Sequence, residues 1–226
     1  MVRSFAFFLS FVALSGFYGC KKKNQPPANS ASIMFVNACA GATPGIDAKI
    51  DNVNVSGAAN LPFTGNSGYK FVKASTPITI GYFITNLGTP ITNKTVTPTK
   101  DLYYSSFSGG LVTAPTSVFV ADDLSAPATS SAKIRFVNLS VDIMNVTATA
   151  QNTVIDSQVT AMEVSSFIQV PAGNYELKAG DPSNINTVVT TGATSLAAGR
   201  IYTLMLTGTI AGTGVSALKL TLITNK

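Results

Sequence analysis

The sequence predicts an all-β protein, two tandem immunoglobulin-like antiparallel β-sandwich domains, and three observations lead there. Charged residues are only 11% of the chain, against ~25% in typical globular proteins, and Thr, Val and Ile, which suit a pleated surface, are frequent. Apolar runs are short, bounded by Gly, Pro, Asn and Asp, and no long helical period interrupts them. The chain also repeats itself at a separation of about 100 residues, the mark of a duplicated domain.

Residues 1–31 precede the first domain. Arg3 gives a cationic start, Phe5 to Phe17 is apolar and uncharged, and Gly19-Cys20 is followed at once by Lys21, Lys22 and Lys23. A charged start, a short apolar core and a small residue before the cut mark a secretory signal. A spanning helix needs ~18 or more apolar residues; the uncharged stretch is slightly shorter, and Pro26 and Pro27 close any helical continuation. The Gly19-Cys20 step resembles the lipobox of bacterial lipoproteins, in which a small residue precedes the cysteine that takes lipid. Phe17 and Tyr18 stand where that pattern usually has Leu and a small residue. Residues 1–19 are therefore expected to leave as a lipoprotein signal peptide, cut between Gly19 and Cys20. Cys20 is expected to be lipidated, and residues 20–31 to form a flexible tether. One acyl chain binds a membrane marginally and two or more hold firmly, with the three lysines set against anionic head groups.

The first domain is expected over residues 32–122. Ile33 to Asn37 opens it, Ile46 to Val55 folds back at Asp51-Asn52, a hairpin pair, and Pro77 to Ile84 and Leu102 to Phe107 follow before Gly109-Gly110 and Ser117 to Val120. Asp122 to Ser131 is small, polar and interrupted by Pro127, so residues 123–131 read as a linker. The second domain, residues 132–226, begins with Ile134 to Asn138. Val164 to Val170 then runs into the turn Pro171 to Asn174, with Tyr175 to Lys178 and Ile201 to Thr207 beyond. Ile33-Met34-Phe35-Val36-Asn37 matches Ile134-Arg135-Phe136-Val137-Asn138, Asp51-Asn52 matches Gln151-Asn152, and Leu102 to Gly109 matches Ile201 to Gly208. Seven or so short strands per unit suggest an immunoglobulin-like sandwich.

The second unit resembles a bacterial family catalogued as domain of unknown function 4397. The resemblance rests on Val137-Asn138 closing the first strand, Val170-Pro171-Ala172-Gly173 before the strand with Tyr175, and Ala198 to Gly208. The first unit keeps Phe35-Val36-Asn37, Ile46 to Asn52 and Tyr103 to Gly109, but has Lys73-Ala74-Ser75-Thr76-Pro77 in place of the proline-glycine turn. The resemblance implies a sandwich in an exported or anchored setting and brings no catalytic or binding residues.

Chemistry is sparse. There is no histidine, which removes the Ser-His-Asp and Cys-His arrangements and the commonest metal ligand. With Cys20 lipidated, Cys39 stands alone and reads as a small buried residue. No metal or other cofactor is expected. Asp122-Asp123 would suit a hard cation, but without a spaced acidic loop they read as solvated linker acids. Asp47 and Asp51 could share a strand face, yet their counterparts Thr147 and Gln151 carry no charge, so a carboxylate pair for glycoside hydrolysis is not a property of the unit. The net charge of +5 falls to +1 once Arg3 and Lys21 to Lys23 are set aside, so the basicity belongs to the tether and no nucleic acid is expected as a partner. Tyr103 and Tyr202 match and read as core. Tyr104, on the opposite face of its strand, is the candidate surface contact.

The chain is thus expected to be a membrane-anchored lipoprotein of the bacterial cell envelope, at the outer membrane, and not an enzyme. A non-catalytic binding or adhesion module is the leading expectation. Its partners would be the membrane, through lipid on Cys20, and an extracellular glycan or protein ligand. The alternatives are a structural or assembly component of the envelope and a carboxylate-based hydrolase.

Overall fold

The computed structural model describes residues 26–88 and 90–226; the expected cleavage at Gly19-Cys20 and lipidation of Cys20 lie outside them. The described chain is all-β, with two single-turn 3-10 segments and no α-helix. The first eight strands are β1 (Ser30–Asn37), β2 (Ile46–Ile50), β3 (Val53–Asn54), β4 (Asn66–Lys73), β5 (Ile78–Ile84), β6 (Pro90–Val96), β7 (Tyr103–Leu111) and β8 (Ala114–Asp122). The second eight are β9 (Ser131–Asn138), β10 (Val146–Ala150), β11 (Thr153–Val159), β12 (Ile168–Pro171), β13 (Gly173–Gly180), β14 (Val189–Leu196), β15 (Ile201–Thr207) and β16 (Lys219–Thr224).

They form four sheets of four strands. The first domain pairs β4-β1-β7-β8 with β3-β2-β5-β6, and the second pairs β12-β9-β15-β16 with β11-β10-β13-β14. The orders agree position by position, so the repeat in sequence is a repeat of topology. Strand order corrects one expectation. An immunoglobulin sandwich sets A-B-E-D against C-F-G; here the first strand of each domain lies between the fourth and the seventh. Nor is the pairing wholly antiparallel, because β1 runs parallel to β7 and β9 to β15. Strand number and spacing suggested a sandwich but carry no information on which strands cross between sheets.

Local signals explain several connections. Asp51 and Asn52 take φ values of 50° and 65° between the paired residues Ile50 and Val53, the conformation that a two-residue hairpin of the primed kind requires. The Val-Asn that ends each first strand is a corner device. Asn37 donates to Leu61 O at 2.9 Å and accepts from Cys39 N at 3.1 Å. Asn138 donates to Ile143 O at 3.0 Å and accepts from Ser140 N at 3.1 Å. The turn at Pro171 to Gly173 is also a corner: β12 lies in one sheet of the second domain and β13 in the other.

The four sheets stack in layers. Along β1, Ile33 and Phe35 enter the core of the first domain beside Ile46, Ile80 and Tyr82, while Met34 and Val36 face the other way. Along β9, Ile134 and Phe136 enter the second core with Leu177, Leu204 and Leu206. The outward faces of these two sheets close on each other in a third core, where Met34, Val36, Ala38 and Phe107 meet Val137, Leu139, Met205 and Ile223. Strands β1 and β9 are therefore buried on both faces, and Ile33 to Val36 is apolar throughout, whereas Arg135 breaks the matching run in β9. The domains share a packed interface, and the connection from Asp123 to Ser130 runs along one end of it.

Candidate functional site

The polar centre of the interface is built from side chains of β4, β7, β8, β9 and β15 and from Asn225, just past β16. Arg135, 1% exposed, reaches from β9 into the first domain, where its guanidinium meets Asp122 Oδ1 at 2.7 Å as an ion pair and donates to Ser105 Oγ at 3.0 Å. Its Nε donates to Thr203 Oγ1 at 3.0 Å, and its plane lies over the Phe167 ring at 4.5 Å, a cation–π contact. Asp122 Oδ2 accepts from Tyr69 OH at 2.5 Å and from Ser105 Oγ at 2.7 Å. Asn225 completes the network, donating to Tyr69 OH at 3.1 Å and accepting from Thr203 Oγ1 at 2.7 Å. Burial, with the Asp122 carboxylate adding to it, pushes the Tyr69 phenol well above its ordinary range, so the hydroxyl stays protonated and donates. A buried carboxylate and guanidinium need such partners to offset lost hydration, and this pair has them from both domains.

The network opens at one rim. A cavity of about 490 Å³ lies where the connection passes the end of the chain, walled by Tyr69, Leu102, Tyr103, Leu124, Asn225 and Lys226. Tyr103, 40% exposed, is held edge-on to Tyr69 at 5.2 Å between ring centres. Leu102 is 46% exposed beside it. The connection is pinned over the rim by Lys133, which bonds Asp123 Oδ2 at 2.8 Å and Ser125 Oγ at 2.6 Å, and by Lys226, which donates to Leu124 O at 3.0 Å. The bonds from Lys133 and Ser125 hold the Asp123 carboxyl well below the usual carboxylate range.

The residues singled out from sequence fall as follows. Tyr104 is buried, 7% exposed, stacked on Phe119 at 4.7 Å and accepting from Thr99 N at 3.0 Å; it does not present a surface contact. The reason is register. Ile33 pairs with Tyr104 and Ile134 with Tyr202, so Tyr104, not Tyr103, is the counterpart of Tyr202, whose hydroxyl accepts from Ala197 N in the same way at 3.1 Å. The repeat is one residue closer in this strand than the sequence match placed it, and the exposed ring is Tyr103. Asp122 and Asp123 are not a pair of solvated linker acids: Asp122 ends β8 and is buried, and Asp123 is tied to Lys133. Asp47 and Asp51 brace neighbouring turns and strands. Asp47 Oδ1 accepts from Asn60 N at 2.7 Å and Thr85 Oγ1 at 2.8 Å, and Asp51 Oδ1 from Thr79 N at 2.8 Å. Cys39 is buried and free, and Ser140 takes its place in the second corner.

The pairing of Arg135 with Asp122 is not legible in the sequence. The signal was present, since Arg135 interrupts an apolar strand at the place of Met34 in the first unit, but nothing in one sequence says which carboxylate answers it.

A family model described as "Domain of unknown function (DUF4397)" matches residues 31–149 and again 141–226. The first match runs past the end of the first domain into β9 and β10. No curated protein matches the chain. Among solved structures, a leucine-rich repeat protein from Bacteroides thetaiotaomicron is 13% identical over 85% of this chain, with a TM-score of 0.23. The match takes in 27% of that protein, so this chain spans about a quarter of its length.

Proposed function

The chain belongs to the family described as a domain of unknown function, DUF4397, and we propose that it is a lipid-anchored protein of the bacterial outer membrane whose paired sandwiches act as a non-catalytic binding or adhesion module. The observation that carries this reading is the order of Arg3, the apolar run Phe5 to Phe17, and Gly19-Cys20 ahead of Lys21 to Lys23, the form of an exported chain with a lipidated cysteine. Two further observations support it. The acids Asp47, Asp51, Asp122, Asp142, Glu163 and Asp181 accept hydrogen bonds from neighbouring backbone or side chains, a structural use of carboxylates. At the end away from the tether, the loops after β9 and β15 expose Met144, Ile210 and Val215, apolar side chains suited to meeting a protein or glycan.

Changing Cys20→Ala tests the anchor. The parent is expected to incorporate labelled fatty acid and sediment with outer membranes, and the variant to do neither. A Cys20→Ala chain that stays membrane-bound as an uncut precursor would overturn the reading in favour of a spanning segment. Protease added to intact cells tests the binding role: cleavage is expected. Resistance until the outer membrane is broken would replace adhesion with an assembly role inside the envelope.

A further inference from the structure

We propose that the end of the molecule nearest the tether is a membrane-docking surface, with Phe71, Leu102 and Tyr103 entering the head-group region of the bilayer that holds the lipid anchor. The inference rests on the anchoring reading above and adds a defined orientation to it. Strand direction places the start of β1, the end of β4, the start of β7 and the end of β8 together, because Ser32 pairs with both Phe71 and Tyr103, and Tyr103 with Asp122. Phe71 and Tyr103 therefore stand on one rung and one face, flanking the small Ser32. This is the face that packs against the second domain farther along, but here it passes beyond that cover: Phe71 is 47% exposed. Pro26, the first described residue, lines the same depression as Phe71, Ser32 and Tyr103.

The path to the lipid is short. Five residues lie between Cys20 and Pro26, a span of at most ~20 Å at ~3.3–3.6 Å per extended residue. The tether thus delivers this end, and not the opposite loops, to the membrane. An exposed cluster of two aromatic rings and a leucine suits the boundary of head groups and acyl chains. The charges around it have the matching sign. Lys73 and Arg200 are exposed at this end, and among the described residues neither has a carboxylate within ion-pair distance. The three acids nearby are each paired with a cation, Asp101 and Asp123 with a lysine and Asp122 with Arg135. With Lys21 to Lys23, these cations face anionic head groups. In the second domain Arg200 occupies the position of Leu102, since Lys133 N bonds its carbonyl as Ser32 N bonds that of Leu102. The docking end is therefore apolar under the first domain and cationic under the second.

The chain has no tryptophan, so one introduced ring reports its own surroundings. Full-length lipidated protein carrying Phe71→Trp, Leu102→Trp or, at the opposite end, Ile210→Trp would be reconstituted into vesicles of phosphatidylethanolamine and phosphatidylglycerol, with and without brominated acyl chains. Emission from Phe71→Trp and Leu102→Trp is expected to shift to the blue and to fall roughly twofold with brominated lipid, as for a ring ~5–10 Å into the interface. Ile210→Trp is expected to ignore the bromine. A lipidated, vesicle-bound chain in which neither Phe71→Trp nor Leu102→Trp is quenched would overturn the docking surface alone, as would a blue shift without quenching, the sign of protein cover. Recovery of an unlipidated chain would overturn the anchor and this inference together.

Discussion

The two domains turn the same face of the same sheet toward each other, yet they meet with different chemistry. Strand register equates Met34 with Arg135, Ser105 with Thr203 and Asp122 with Asn225, and Phe167 lies against Arg135 where Tyr69 pairs with Met34. Val36 and Val137, like Phe107 and Met205, remain apolar in both copies. A contact between equal faces is isologous, and in a dimer of identical chains every residue would appear in it twice. A single guanidinium facing a single carboxylate, with a methionine and an amide at the equivalent places, is available only to two copies that have diverged within one chain. The apolar residues supply the area of the interface; the polar residues distinguish one copy from the other.

The sharpest way to break this asymmetry is to make the second domain like the first at its centre. Arg135→Met leaves the Asp122 carboxylate buried without its cation, and removing one partner of such a pair costs ~3–5 kcal/mol. Urea unfolding should show that loss. Asp122→Asn, the amide of the second copy, should be destabilising for the converse reason. The double variant should recover most of the loss, because apolar or neutral replacement of both partners is often near neutral. A double variant no better than the worse single one would mean that Arg135 acts through Ser105, Thr203 and Phe167 and not through Asp122.

A smaller effect compares the copies at their tightest equivalent turns. Gly110, near the end of β7, and Gly208, just past β15, have φ of 81° and 85°. A Cβ on Gly110 would stand 2.7 Å from Ala114 O, and one on Gly208 would press closer still on the carbonyl of Ala217. Alanine at either position meets both a left-handed backbone and a collision with main chain. Gly110→Ala is expected to cost about 2 kcal/mol and Gly208→Ala about 3 kcal/mol, at the upper end of single-residue strain. Thermal unfolding of the two variants gives the order, and equal losses would show that backbone conformation, not the collision, dominates.

Where sequence reading succeeded and failed follows from the range of each signal. The duplication and the Asp51-Asn52 hairpin are carried by residues adjacent in the chain or by a direct match of one stretch to another. Strand order is not, because the parallel pairing of β1 with β7 depends on which strands cross between sheets. The Tyr103–Tyr202 match failed by one residue, and with a period of two in a strand that slip exchanges core for surface. The cavity rim was illegible for a similar reason: Tyr69 and Tyr103 meet across β1 within one sheet, and Lys226 of the second domain joins them only because equal faces pack together. Asp122 stands in a small, polar stretch that reads as solvated, and only the packing of the second domain sets Arg135 opposite it.

The mildest difference between the copies lies in their corners, where Ser140 in the second domain stands at the position of Cys39 in the first. Burial pushes the Cys39 thiol up to about 11, against a lowering by the Ser108 side chain, from an ordinary value of 9.0. An acid whose folded value is raised contributes fully below its unfolded value and loses that contribution as pH rises through the folded one. Stability should therefore fall between pH 9 and about 11. The buried phenols of Tyr69 and Tyr82, also pushed up by burial, ionise late and steepen the loss. Cys39→Ser removes only the thiol's share, so the variant should lose stability less steeply over that window while matching the parent near neutrality. At pH 8 a thiol reagent should label the parent only as fast as the domain opens. Rapid labelling of the native protein would place Cys39 in a corner that opens locally, and the first domain would then be the looser of the two.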